Sequence, residues 1–151
     1  MQDCLDAAYR YLSYRPRSEG EIRQWLHRRG FANEMAEKVI TKLREQNLID
    51  DFTFAQFWKD NRLSFRPKSK RLIKKELRDK KVAAQIIEQV IDDIDDEEVA
   101  YKLGSRRLPG LAHLDYPDFY RRISNYLAYR GFSYEVIKHT ASLLWQEREQ
   151  G

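Results

Sequence analysis

The chain has 151 residues, 34% of them charged, with 28 Lys and Arg against 24 Asp and Glu for a net charge of +4, and a mean hydropathy of −0.78. No run approaches the roughly 20 consecutive apolar residues of a membrane span, and no basic segment precedes an apolar run in the first dozen residues. Neither a membrane protein nor a secreted one is expected, and the cytoplasm is the default. The one cysteine, Cys4, excludes an internal disulfide and reads as a small packed hydrophobe.

Leu5, Ala8, Tyr9 and Leu12 recur at i, i+3, i+4 and i+7, which predicts a first amphipathic helix. Pro16 disfavours helical backbone at Arg15, and Ser18 with Glu21 three residues on has the form of a capping box. A second helix is therefore predicted from there, carrying Ile22, Trp25, Leu26 and Arg29. Gly30 suits a left-handed C-terminal position, with Phe31 packing back over the last turn. A third helix carries Met35, Ala36, Val39, Ile40 and Leu43. Asp50 or Asp51 restarts the pattern ahead of Phe54, Ala55 and Trp58. Further on, Leu72, Ile73 and Leu77 mark the core face of a basic helix. An acidic cap near Asp96 precedes Val99, Ala100 and Leu103. The run Pro109-Gly110-Leu111-Ala112-His113 is expected to be a loop, followed by a helix after Pro117 and another over Tyr134 to Gln146. No useful length alternates with period two, so a sheet is not expected.

These elements repeat at a spacing of about fifty residues. Ile22, Ile73 and Ile123 align, as do Leu26, Leu77 and Leu127, then Phe31, Val82 and Phe132, then Ala36, Ile87 and Ile137. Arg15-Pro16-Arg17-Ser18 is echoed by Arg66-Pro67-Lys68-Ser69, and Pro117 falls near the place of a third proline. The expected fold is all-α, an elongated array of three tandem three-helix repeats over residues 1–48, 49–94 and 95–151.

Charge is unevenly distributed along the array. Lys59 to Lys81 holds eleven Lys or Arg against three acids, whereas Gln85 to Glu98 holds seven acids and no Lys or Arg. On a helix, Arg71, Lys74, Lys75 and Arg78 form one ridge opposite the apolar face. Lys68, Lys70 and Arg71 crowd a helix start, where the macrodipole disfavours cations by about 0.3 to 1 kcal/mol each. Stability alone would not choose them, so an anionic partner is expected: a nucleic-acid backbone or an acidic protein surface.

Trp25, Trp58, Trp145, Phe52, Phe54, Phe57 and Phe65 are expected mostly in the core; Tyr11, Tyr14, Tyr129 and Tyr134 are better surface candidates for base stacking, with inter-helix contacts the simpler account even for these. Chemistry-bearing constellations are missing from the sequence. His27, His113 and His139 lie far apart with no second ligand at metal spacing, and there is no glycine-rich phosphate loop or nucleophile elbow. Asp95, Asp96, Glu97 and Glu98 read as caps of the next helix. Neither enzymatic activity nor a cofactor is expected.

Four stretches together resemble the RecX regulatory proteins. Ala8-Tyr9-Arg10-Tyr11-Leu12-Ser13, with Arg15-Pro16-Arg17-Ser18, Glu21-Ile22 and Gly30-Phe31, resembles that family's opening repeat. Leu48-Ile49-Asp50-Asp51-Phe52-Thr53-Phe54-Ala55 is similar to its doubled aspartate followed by an aromatic and Ala. Arg71-Leu72-Ile73-Lys74-Lys75-Glu76-Leu77 resembles its central basic helix, and Tyr129-Arg130-Gly131-Phe132-Ser133-Tyr134-Glu135-Val136-Ile137 its C-terminal signature. The likeness spans nearly the whole chain. Two positions depart from it: Ser69 stands where a glycine usually precedes the central helix, and Lys80-Lys81 where a Lys-Gly pair usually ends it.

The resemblance implies a modulator of the RecA recombinase that lies in the groove of the filament on single-stranded DNA and depresses its ATPase, coprotease and strand-exchange activities. Implied partners are RecA and single-stranded DNA, with room for double-stranded DNA, and a monomer is the simplest state. The residues expected to contact RecA or DNA are Arg62, Arg66, Lys68, Lys70, Arg71, Lys74, Lys75 and Arg78. A rival reading is a direct DNA-binding protein that competes with RecA for single strands, recognisable by tight, steeply salt-dependent binding to naked DNA. A helical adaptor for an unrelated partner would show neither behaviour.

Overall fold

Apolar residues at i, i+3 and i+4 give each predicted segment one face that must leave water, and tertiary packing of those faces holds the helices together. A computed structural model describes residues 1–150 and contains α1 (Gln2–Tyr14), α2 (Glu19–Arg28), α3 (Asn33–Glu45), α4 (Asp51–Phe65), α5 (Lys70–Asp79), α6 (Ala84–Ile91), α7 (Asp96–Leu111), α8 (Tyr116–Tyr129) and α9 (Tyr134–Gln150). Among the described residues there is no strand, and the all-α class is as expected. The helices group into two bodies, one of residues 1–60 with 75–92, the other of residues 61–74 with the chain from Asp93 onward. The division falls inside α4 and α5.

In the first body, α1, α2 and α3 enclose Leu5, Ala8, Ile22, Leu26, Val39, Ile40 and Leu43. Cys4 belongs to the same core at 1% exposure, and burial pushes its thiol pKa up, so packing is its role. The entrance to α2 is a complete capping box: Glu21 N–H donates to Ser18 Oγ at 3.0 Å, and Ser18 N–H donates back to Glu21 Oε1 at 3.2 Å. Gly30 takes φ 91°, and Phe31 N–H closes the helix end on the Leu26 carbonyl at 3.2 Å. At the end of α5, Lys81 adopts φ 65° with Val82 N–H on the Leu77 carbonyl at 3.2 Å, the same closure without a glycine.

Glu21 is the hub of this body's polar interior. Its carboxylate meets Arg15 at 2.6 Å and Lys80 at 3.4 Å. Burial alone would raise its pKa, but the hydrogen bonds from Arg15 and from the Ser18 N–H, with the charges of Arg15 and Lys80, outweigh it and hold the group below the usual carboxylate value. The Arg15 guanidinium and Lys80 Nζ also stand over the Trp58 ring, at 5.3 and 4.6 Å.

In the second body, α7, α8 and α9 bury Ala100, Leu103, Phe119, Ile123, Leu127, Phe132, Ala141 and Leu144. The aligned repeat residues occupy equivalent core positions, since Ile22, Ile73, Ile123, Leu26, Leu77 and Leu127 all have 0% exposure. One expectation fails. The predicted loop at Pro109 is helical, because α7 runs through Pro109 and Gly110 to Leu111. Proline there forfeits one backbone bond at about 3 kcal/mol. Leu111 at 8% exposure and the partly buried Leu108 offset this at about 1.5 to 3 kcal/mol for a fully buried leucine. Arg148 Nε also donates to the Ala112 carbonyl at 2.9 Å, satisfying an end of the helix. The connection shrinks to residues 112–115, where Asp115 caps α8 by accepting from Asp118 N–H at 3.1 Å.

Candidate functional site

The ridge on α5 exists because the helix has two incompatible faces. Ile73 and Leu77 are fully buried, whereas Arg71, Lys75 and Arg78 are exposed and Lys74 is half-buried. Seven residues at 1.5 Å rise spread these cations over about 10 Å. Arg71 Nη2 leans toward the Gly131 carbonyl at 3.4 Å, and Lys75 pairs with Asp79 at 3.2 Å. That exposed i, i+4 pair contributes only about 0.3 to 0.5 kcal/mol, so the ridge remains a positive surface.

The start of α5 differs from expectation. Its backbone donors are not held out for an external anion: Lys70 N–H donates to Asp96 Oδ1 at 2.8 Å, and Leu72 N–H donates to Ser69 Oγ at 3.2 Å. Ser69, where the family usually has glycine, is a buried N-cap whose own N–H donates to the Arg130 carbonyl at 3.0 Å. The Asp96 carboxylate is thus the anion that the helix dipole attracts. Asp50 and Asp51 divide the same labour at α4. Asp50 Oδ1 accepts from Phe52 N–H at 2.8 Å, and Asp51 Oδ1 accepts from Glu19 N–H, at the start of α2, at 2.9 Å.

The eight predicted contact residues fall into separate groups. Arg71, Lys74, Lys75 and Arg78 line α5, and Lys70 is its first residue. Arg62, Arg66 and Lys68 converge instead in the second body on an open cleft of about 610 Å³, completed by Leu72, Tyr129 and Arg130. Arg130 was not among the predicted contact residues, although it stands in the C-terminal signature, whereas Tyr129 was already singled out as a surface aromatic. Arg130 Nη1 donates to the Pro67 carbonyl at 3.0 Å, its guanidinium lies 5.3 Å from the Tyr126 ring, and Tyr129 is 85% exposed. Lys59, which counts toward the basic segment, is buried at 4% exposure and adds nothing to its surface.

The aromatic residues sort less simply than expected. Phe54 is core at 1% exposure, but Phe52 and Phe65 are exposed. Phe65 lies beyond the apolar face of α4, on its last residue. Tyr14, Tyr129 and Tyr134 are exposed as expected, whereas Tyr11 stacks on Trp25 with ring centroids 4.5 Å apart and Arg17 over it at 3.9 Å. Among the described residues, no group of three or more His, Cys, Asp or Glu is placed to hold a metal ion, and no helix is long and apolar enough to cross a membrane.

Three family models match the chain in tandem: the first three-helix domain of RecX over residues 4–43, the second over 50–91 and the third over 95–140. The regulatory protein RecX of Amycolatopsis mediterranei is 33% identical over 134 residues, spanning 84% of this chain and 77% of that protein. The chain belongs to the RecX family. Another RecX regulatory protein, from Chlorobium limicola, is 31% identical over 139 residues, covering 92% of this chain and 87% of its own length. The crystal structure of RecX from Lactobacillus salivarius matches with a TM-score of 0.78 at 25% identity, covering 95% of each chain. The three-helix repeats are therefore a family property, and the chain is a member of a family of regulatory proteins.

Proposed function

We propose that the protein regulates a RecA-type recombinase by lying in the groove of its filament on single-stranded DNA, bridging protomers and depressing ATPase, strand-exchange and coprotease activity. The observation that carries this reading is the exposed cationic face of α5, held up by a buried apolar face that fixes its orientation. Family membership supplies the regulatory role. Consecutive three-helix modules, with repeats bounded at 1–48, 49–94 and 95–151, suit a polymer that presents many copies of one site, because each further contact is made at high effective concentration. Arg71, Lys74, Lys75 and Arg78, with Lys70, contact acidic recombinase surface or the DNA backbone, and Arg62, Arg66 and Lys68 add to the same positive field. Binding that favours one helical state of the filament slows turnover without any chemistry of its own.

The test is steady-state ATP hydrolysis by the cognate RecA on single-stranded DNA, titrated with the wild-type protein and with an Arg71→Ala, Lys74→Ala, Lys75→Ala, Arg78→Ala variant whose helicity is checked by circular dichroism. Substoichiometric inhibition by the wild type, lost in the variant, is expected. No inhibition at any ratio sinks the function, and equal inhibition by the variant sinks the role of the ridge.

A further inference from the structure

The helices α7 and α8 carry cations that their own acids do not reach. Between Lys102 and Tyr126 there are five Lys or Arg and two acids. Both acids are committed: Asp115 caps α8 through the Asp118 N–H at 3.1 Å, and Asp118 pairs with Arg121 at 3.3 Å. Lys102 pairs with Glu98, one turn earlier, at 3.0 Å. Arg106, Arg107 and Arg122 are exposed, and among the described residues none of them pairs with a carboxylate. Arg122 stands four positions after Asp118, the spacing of a helical ion pair, yet that carboxylate is held by Arg121.

Two of these arginines share a groove. Arg107 from α7 and Arg122 from α8 line an open groove of about 280 Å³ with Asn125, completed by Leu111, Ile123 and Tyr126. Arg106 and Arg121 adjoin them in the chain, so each helix contributes a consecutive pair of arginines. Nothing in the repeated fold demands this. At the position of Arg122, just before the aligned isoleucine, the first repeat has Glu21 and the second has Leu72. Like charges gathered without an acid repel one another, so their convergence disfavours the bare fold and points to an anion supplied from outside.

We infer that the groove between α7 and α8 is a nucleic-acid site that grips the backbone, with Arg107 and Arg122 on phosphodiesters and Asn125 adding a neutral donor. Guanidinium forks match phosphate oxygens in pairs of hydrogen bonds. A phosphodiester chain carries a charge on every nucleotide and so engages cations from both helices at once, whereas carboxylates on a protein surface would have to be placed singly to match. Bases find no platform. The Tyr126 ring is half-buried and already faced by Arg107 at 4.3 Å and Arg130 at 5.3 Å. The site therefore fixes position without reading sequence, and accepts duplex and single strand alike. It lies apart from the ridge on α5 and goes beyond the functional reading, which names no contact residue on α7 or α8.

The experiment is fluorescence anisotropy of a labelled mixed-sequence duplex, and of its single strand, with the full chain and no recombinase. Saturable binding to both is expected, weakened about 10-fold or more by Arg107→Ala combined with Arg122→Ala. The slope of log affinity against log salt should flatten by about 0.9 on duplex and about 0.7 on single strand for each phosphate contact removed. Lys138→Ala, which removes an exposed cation from α9, should leave both readouts close to wild type. Should loss of Arg107 from the Tyr126 ring disturb packing, Arg122→Ala carries the test alone, since the Arg122 side chain makes no hydrogen bond or ion pair. Wild-type affinity and slope in Arg122→Ala overturn the inference, and so does an equal loss in Lys138→Ala, which would make net charge the cause. Polyglutamate that displaces the duplex as well as unlabelled duplex does assigns the groove to protein carboxylates instead. A preference for single strand that disappears in the variant overturns the grip on backbone alone. The ATPase test bears on α5, so either reading can fail while the other stands.

Discussion

Replacing Glu21 by Gln tests whether an internal carboxylate neutralises the first body's cations. The Glu21 side chain is 9% exposed, whereas Arg15 and Lys80 keep 28% and 24% of theirs. Breaking a fully buried pair costs about 3 to 5 kcal/mol, and an exposed pair is worth at most about 1 kcal/mol. Two cations with partial access to water fall between, at about 2 kcal/mol. Glutamine retains an oxygen for the Ser18 N–H, so the capping box survives; Glu21→Ala loses that bond too, adding about 1 kcal/mol. Each kcal/mol lowers Tm by about 2 to 4 °C in a chain of this size. The pH dependence follows from linkage. The Glu21 pKa is depressed on folding, so its stabilisation is complete above the unfolded value of about 4.3 and is lost as pH falls through the folded value. Urea unfolding followed by circular dichroism at neutral pH and at about pH 3 should therefore show a wild-type advantage over Glu21→Gln that shrinks in acid. A gap below about 0.5 kcal/mol at neutral pH, or one that persists unchanged in acid, would refute the electrostatic account.

Lys81→Gly removes a side chain held at φ 65°, relieving about 1 to 2 kcal/mol of left-handed strain against about 0.4 to 1 kcal/mol of added unfolded-chain entropy. Denaturant unfolding should show a net gain of about 0.5 to 1 kcal/mol; a loss would mean that the lysine side chain itself stabilises the turn. The two helical glycines of α7 should respond oppositely to alanine. A Cβ at Gly104 runs into Leu144 Cδ1, a fully buried neighbour, so Gly104→Ala should destabilise by about 1 kcal/mol net of helix propensity, whereas Gly110 has nothing within 4 Å and Gly110→Ala should stabilise by up to about 1 kcal/mol. Equal thermal shifts in the two variants would contradict the packing described for α7 and α9.

Periodicity and caps made most of the fold legible, because they are local. Ser18 and Glu21 announce α2 through their own hydrogen bonds, and the aligned Ile and Leu positions announce one core pattern three times. What local chemistry could not reach was tertiary. Pro109 looks like a helix breaker until Leu111 is seen buried and Arg148 is seen donating to Ala112. The start of α5 looks like an open anion site until Asp96, 26 positions later, is seen occupying it. Arg130 lies 63 positions from the Pro67 carbonyl it binds, so its membership of the cleft was invisible to any reading of neighbours. The ridge on α5 was legible because helical spacing alone determines it.

The doubled aspartates show how one short motif serves two helices. In Asp50-Asp51 and again in Asp95-Asp96, the first residue caps its own helix: Asp50 accepts from Phe52 N–H at 2.8 Å and Asp95 from Glu97 N–H at 3.0 Å. The second residue reaches an earlier helix, Asp51 to Glu19 N–H at 2.9 Å and Asp96 to Lys70 N–H at 2.8 Å. Each helix start so capped is where a cap contributes about 1 kcal/mol and a carboxylate meets the positive end of a helix dipole. Supplying that carboxylate from the next repeat ties each repeat to the one before it by a directional bond as well as by apolar area. Lys68 and Lys70 can then stand beside the α5 dipole because Asp96 already offsets its charge.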